Sequence, residues 1–447
     1  MINEYGIISE QETNMNNQQK NRTALCGALL LTSLVISAQS GTNSPYSQYG
    51  LGILSDQSQS VGRAMGGLGF GLRAGTYANT LNPASYSAVD SLTMLFDVGA
   101  SGQISNFKEG NIKRNANNAD FEYAVATFRL RKAVGMTIGL LPFTNIGYNY
   151  TSSPNKTEST YSTGSYNGSG GIHQALLGVG WNLWKGLSVG ANISYLWGSY
   201  DRNVVVSNSD SYVRTLTRTY SANVTNYKLD FGVQYEYPIS KDNHIVLGVV
   251  YGLGHKLGSD ATMTTTISNP QTGTSTQDPK VASNALAIPH SFGVGFTWMH
   301  TNTLIAGIDY SLQCWGNVNY PVLQNDDDAA NYVERSGLLT DRHKVSLGAE
   351  WTPRATSRSL LKRIHYRVGA SYNTPYIKVN GADGPKEYGV SLGFGIPMTN
   401  SWNNRSVFNI SAQWAHTSMN GCVTDNTFRI NLGLTFNERW FMKWRVE

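Results

Sequence analysis

From about residue 91 onward, apolar side chains fill every second position, and Gly, Ser, Asn or a charge fills the positions between. Leu187, Val189, Ala191, Ile193, Tyr195 and Trp197 alternate with Ser188, Gly190, Asn192 and Ser194. Tyr388, Val390, Leu392, Phe394, Ile396 and Met398 alternate with Gly389, Ser391, Gly393 and Gly395, and Phe428, Ile430, Leu432, Leu434 and Phe436 with Arg429, Asn431, Gly433 and Thr435. A period of two places each set on one face of a strand. About fourteen such segments recur, starting near Leu92, Phe121, Val134, Ile172, Leu187, Tyr227, Ile245, Ser291, Leu304, Lys344, Tyr366, Tyr388, Phe408 and Phe428, each near the ~10 residues of a membrane-barrel strand. The pattern predicts an all-β chain: a transmembrane antiparallel β-barrel of about fourteen strands, spanning residues 91–447 with a short aromatic tail at 437–447 that carries Trp440, Phe441 and Trp444.

The connections sort by length. Those at 131–133, 185–186, 238–243, 300–303, 352–362 and 399–405 are short or moderate, whereas 106–120, 151–170, 201–225, 258–283 and 318–342 are long and rich in Ser, Thr, Asn and Gly. Short turns on one rim and long loops on the other are the signature of a periplasmic and an extracellular rim. This predicts the outer membrane of a Gram-negative bacterium, with both termini periplasmic. Aromatics at the short-turn ends (Trp184, Tyr237, Trp298, Trp351, Phe436) and towards the long loops (Trp197, Tyr251, Trp315, Tyr376, Trp414) read as two interfacial girdles. In lipid every backbone group must be paired, and a closed barrel does this without edges.

Composition narrows the alternatives. Charged residues make up 14 %, with 46 Gly, 25 Tyr and 10 Trp in 447 residues, which excludes a long coiled coil and a disordered chain. The only long apolar run, 24–36, follows Lys20 and Arg22 and precedes Ser37 and Ala38. That is the layout of a signal peptide, 1–38, and the run is too short for a membrane anchor. Residues 1–14 precede Met15, from which a signal peptide of ordinary proportions would begin, so translation is expected to start there. The net charge of +5 forms no basic block, which argues against nucleic acid as a partner. Cys314 and Cys422 show no metal spacing, and whether they pair is open.

Residues 39–90 do not alternate. They hold Gly62-Arg63-Ala64-Met65-Gly66-Gly67 and Asn82-Pro83-Ala84, and they carry Phe70, Leu72, Tyr77 and Leu81, which need cover. A Gly-rich stretch can pack its backbone closely against surrounding walls, so the segment is expected to plug the lumen. With this stretch, then Asn-Pro-Ala, then about fourteen strands, the mature chain resembles the FadL-type outer-membrane transporters of long-chain fatty acids and aromatic hydrocarbons. The resemblance implies that 39–90 is the hatch, that Asn82, Pro83 and Ala84 with Gly66 and Gly67 belong to its motif, and that the third strand opens sideways to the membrane. Pro142, which donates no ladder hydrogen bond, lies in the third segment and is the candidate for that opening.

Other chemistry is weak. Gly186-Leu187-Ser188-Val189-Gly190 fits the G-x-S-x-G pattern but opens a strand, not the strand-to-helix elbow that hydrolases need. Asp326, Asp327 and Asp328 lack the spacing of a hard-cation site. Lys228, Asp230, Gln234 and Glu236 share one face of a strand and read as lumen-facing. No catalytic residue, metal or cofactor is expected. The expected partners are a hydrophobic small-molecule ligand, outer-membrane lipid, and the barrel assembly machinery during biogenesis. The expected function is passive uptake of hydrophobic molecules. The alternative is an accessory or shuttle barrel that binds protein partners in secretion or surface attachment.

Overall fold

The computed structural model describes residues 41–91, 93–152, 154–156, 160–301, 303–325, 330–398 and 406–438. The signal peptide, the alternative start at Met15, the acidic run at Asp326 and the tail beyond Glu438 lie outside these residues. Fourteen antiparallel strands form the wall: β1 (Met94–Glu109), β2 (Ile112–Arg131), β3 (Val134–Thr151), β4 (Tyr161–Trp184), β5 (Leu187–Asn208), β6 (Thr215–Pro238), β7 (Asn243–Gly252), β8 (Ser291–His300), β9 (Leu304–Gln313), β10 (Arg342–Trp351), β11 (His365–Asn373), β12 (Lys386–Met398), β13 (Ser406–Ser418) and β14 (Thr424–Glu438). Each pairs with the next, and β1 pairs with β14 from Met94↔Glu438 to Lys108↔Thr424, which closes the barrel.

The alternation sorts side chains as the sequence requires. On β12 and β14 the outward row of Tyr388, Val390, Leu392, Phe428, Ile430 and Leu432 is exposed, while Ser391 and Asn431 between them are buried. An apolar outer row and a polar inner row fit lipid outside and a lumen inside.

Two expectations are corrected. Much of what reads as long loop at 106–120, 151–170 and 201–225 is strand. β4, β5 and β6 run for 24, 22 and 24 residues, about 75 Å at the usual rise, where 9–11 residues cross a membrane. Val204-Val205-Val206 and the alternate positions Thr215, Thr217 and Thr219 with Tyr220 are β-branched or aromatic, and the hairpin Ala261–Ser268/Ser275–Ala282 extends the sheet by pairing with the upper half of β6. The girdle on the long-loop side also loses two members. Trp315 and Tyr376 are buried, with ring centroids 4.7 Å apart. They belong to a cluster with Leu257, Met263, Leu286, Ile288 and Tyr332 that closes over that end of the molecule.

Candidate functional site

The segment before β1 lies against the inner face of the wall. It holds a 3₁₀ turn (Pro45–Gln48), a two-residue strand (Ile53–Leu54), a helical turn α1 (Ser60–Ala64) and a second 3₁₀ turn (Pro83–Ala88). Close approach of backbones is what positions it. A Cβ on Gly190 would lie 2.4 Å from the Pro83 carbonyl carbon, on Gly348 2.6 Å from Met65 O, and on Gly369 2.1 Å from Gly66 N. Inward-facing wall glycines are therefore the seats on which the segment rests. Going from Ser60 to Tyr86 the segment meets β14, β1, β2 and β13, then β12 to β6 in turn, then β5, β4 and β3, so it reaches every strand.

Polar bonds fix this path. Arg63 is 1 % exposed. Its Nη1 lies 2.7 Å from Glu122 Oε2, its Nε donates to Ser58 O and its Nη2 to Asp56 O. Burial opposes the Arg63 charge, but Glu122 and Asp56 more than offset it and hold the guanidinium above its ordinary range. Burial would likewise raise the Asp56 carboxyl, yet Lys344, Arg63 and the bonds from Ser58 keep it well below the usual carboxylate range. Asp309 accepts the backbone N–H groups of Gly69 at 2.6 Å and Phe70 at 2.7 Å. Gln234 donates to the carbonyls of Phe70 and Leu72, and Arg73 meets Glu236.

The motif residues fall on this path. Asn82 caps the second 3₁₀ turn, accepting from Ala84 N and donating to Phe70 O and Val233 O. Pro83 opens that turn, and Ala84 is fully buried. Gly66 and Gly67 take positive φ of 69° and 85°, which reverse the chain after α1, and Gly66 N donates to Ser391 Oγ. Ser188, the centre of the G-x-S-x-G string, is buried and accepts from Ser87 Oγ. Cys314 and Cys422 are free thiols.

Pro142 marks an interruption in the wall. β2 and β3 pair only from Ala124↔Leu140 to Arg131↔Val134. Above that, β2 continues on β1, and β3 continues on β4 with an irregularity between Pro142 and Thr144. The freed edge of β3 is covered from inside. Ile53–Leu54 pairs with Asn145 and Thr144, Ser55 N donates to Phe143 O, and Gln57 Nε2 donates to Pro142 O. A cavity of about 410 Å³ reaches this break. Beside the break it is lined by Leu54, Leu141, Phe143 and Leu176, and elsewhere by charged groups that include Asp230, Asp309, Lys344 and Arg429. On the long-loop side, Arg202 and Tyr320 both donate to Gly50 O and Tyr376 donates to Gly52 O.

Periodicity missed Arg63, Asp309 and Ile53–Leu54. The one available signal was a charge at an inward strand position, as for Glu122 and Asp309. A two-residue strand has no period.

A family model described as BamG matches residues 21–447. No curated protein matches the chain. Among solved structures, the CymD monoaromatic hydrocarbon channel superposes with a TM-score of 0.58 at 15 % identity, over 85 % of this chain and 97 % of its own. The toluene transporter TodX of P. putida gives 0.58 at 13 %, over 86 % and 98 %. A FadL homologue of Pseudomonas aeruginosa gives 0.60 at 10 %, over 87 % and 99 %. At these identities the likeness is one of fold.

Proposed function

Because the chain belongs to the BamG family and shares its fold with hydrocarbon channels, we propose that it is a plugged outer-membrane barrel of a Gram-negative bacterium that admits hydrophobic small molecules by passive diffusion. The observation that carries this reading is the break between β2 and β3, where the apolar end of the cavity meets the freed edge of β3. The segment 39–90, described from residue 41, acts as the plug, with Asn82, Pro83, Ala84, Gly66 and Gly67 holding its turns. A ligand would descend from the long-loop side and leave sideways past Pro142 when Ile53–Leu54 lifts from Thr144 and Asn145. That movement exchanges two short ladder pairs for ligand contact and needs no energy source. The short turns then face the periplasm, as loop length supports.

The test is a reversible lock. Leu54 and Thr144 are register partners, so Leu54→Cys with Thr144→Cys places two thiols at cross-strand distance, within reach of a disulfide. Uptake of a fluorescent hydrophobe into proteoliposomes should fall on oxidation and recover on reduction. Equal uptake in both states refutes the lateral route.

A second reading is an accessory barrel that holds a protein partner. It is favoured by the buried cluster around Trp315, which closes the long-loop end, and by the charged lining over much of the cavity. Native mass spectrometry after mild extraction separates the two: a retained apolar ligand favours uptake, and a co-purifying protein, with the barrel assembly machinery tested first, favours the accessory role.

A further inference from the structure

The connection from β10 to β11 differs from the other short turns. Between Trp351 and His365 it carries Arg354, Arg358, Lys362 and Arg363 and no acid. Among the described residues none of the four forms an ion pair. The connection is not a slack loop: Arg354 N donates to Lys362 O, Ser357 N to Arg354 O, and Ile364 N to Leu360 O at the end of a helical turn, α2 (Leu360–Arg363). Leu360 is 46 % and Leu361 68 % exposed, although soluble turns place polar residues at such positions.

What sets the level of α2 is Tyr366. Its hydroxyl donates to Leu361 O, and its ring sits in the outward aromatic row, 5.7 Å from Trp351 and 5.9 Å from Phe394. The tether fixes the Leu361 carbonyl, and with it the turn that carries both exposed leucines, at the outward aromatic row. Exposed leucines at the girdle with unpaired cations on the same turn are the pattern of an interfacial anchor. Guanidinium forks match phosphodiester oxygens in geometry and charge, and basic residues near a membrane surface attract anionic lipid.

We propose that the β10–β11 connection is a binding site for an anionic glycerophospholipid of the adjacent leaflet, with Arg354, Arg358, Lys362 and Arg363 on its phosphate and Leu360 and Leu361 against its acyl chains. An acidic protein segment would match the cations but would leave the two leucines without cover, so lipid is the occupant that both features fit.

The experiment is a lipid titration of the full barrel, read by native mass spectrometry, with phosphatidylglycerol, zwitterionic phosphatidylethanolamine and lipid A as probes. Phosphatidylglycerol should bind in preference to the other two and should be released by salt, which screens exposed charges. Each cation near an anionic surface is worth about fivefold in affinity, so Arg354→Gln, Arg358→Gln, Lys362→Gln and Arg363→Gln together should weaken binding by more than tenfold. Leu360→Ser with Leu361→Ser should weaken both phospholipids alike. Heat-modifiable migration checks folding, and if the fourfold variant does not fold, Arg358→Gln alone decides, with about fivefold expected. Unchanged affinity in the variant, equal binding of the two phospholipids, or preference for lipid A overturns the proposal. Loss of a bound acidic protein in place of lipid does so as well.

Discussion

Adding one methyl group to the wall should unseat the segment before β1 without opening the barrel. In Gly369→Ala the new Cβ would lie 2.1 Å from Gly66 N and 2.2 Å from the Met65 carbonyl carbon, whereas ordinary contact begins near 3.4 Å. The two backbones must separate by more than about 1 Å to accept it, and such overpacking is costly in a well-packed interior. Gly369 is bound in register to Gly348 on one side and Ser391 on the other, so the wall cannot give without stretching two ladders. The segment gives instead. Moving it that far breaks Gly66 N to Ser391 Oγ and Ser391 Oγ to Ala64 O, both at 3.0 Å, each worth about 0.5–1.5 kcal/mol. It also disturbs the packing of the fully buried Met65, at about 1–3 kcal/mol. The docked segment should therefore lose about 2–6 kcal/mol relative to an undocked one. Hydrogen exchange of residues 60–72 should accelerate at least tenfold, with bursts of ion current in planar bilayers and an unchanged heat-modifiable barrel. Gly102→Ala, which meets nothing within 4 Å, is the control. Exchange in Gly369→Ala as slow as in the parent would refute the seating argument.

Three further outcomes follow from the same contacts. Arg63→Met leaves the Glu122 carboxylate buried without its cation, which costs about 3–5 kcal/mol; Arg63→Met with Glu122→Gln should recover part of this in thermal unfolding, and a double variant no better than the single one contradicts the pairing. Asp56 has its folded pKa depressed, so its contribution is present above the unfolded value of about 3.9 and is lost as pH falls from there towards the lower folded value; exchange of the segment before β1 should rise on acidification through that window in the parent and show no such rise in Asp56→Asn. Trp315→Ala removes a side chain that is 1 % exposed and should loosen the long-loop cap by about 3–5 kcal/mol, seen as new protease cleavage within 258–342; an unchanged digest would mean that the cluster does not hold the cap.

The wall is legible in the sequence because its physics is periodic. On β12 and β14, lipid outside and a lumen inside force strict alternation, and the same period marks a starting point for each of the fourteen strands. The upper parts of β4 to β6 are not legible as strand, because above the membrane neither face needs an unbroken apolar row and Ser, Thr and Asn read equally as loop. Trp315 and Tyr376 read as girdle because an aromatic at a strand end looks the same whether it meets lipid or folds inward. The site divides in the same way. Asn82 and Gly66 stand out by type and place. The partners that hold them, Phe70, Val233 and Ser391, follow only from which inward positions the closed barrel sets opposite the segment. The pairing of Arg63 with Glu122 joins two charges that nothing local connects.

The route of residues 60–86 around the inside of the wall also bears on how the wall closes. The ladder that completes the cylinder joins Met94 to Glu438, the first wall strand to the fourteenth. Such long-range pairings form late, because closing a long loop loses entropy before its contacts repay the loss. The segment touches β2 at Glu122 and β13 at Gln413, so its contacts bridge the two sides of that closing seam. Contacts already made on both sides of the seam lower the entropy that the last ladder must lose, which suits residues 60–86 to act as a former on which the barrel is wound.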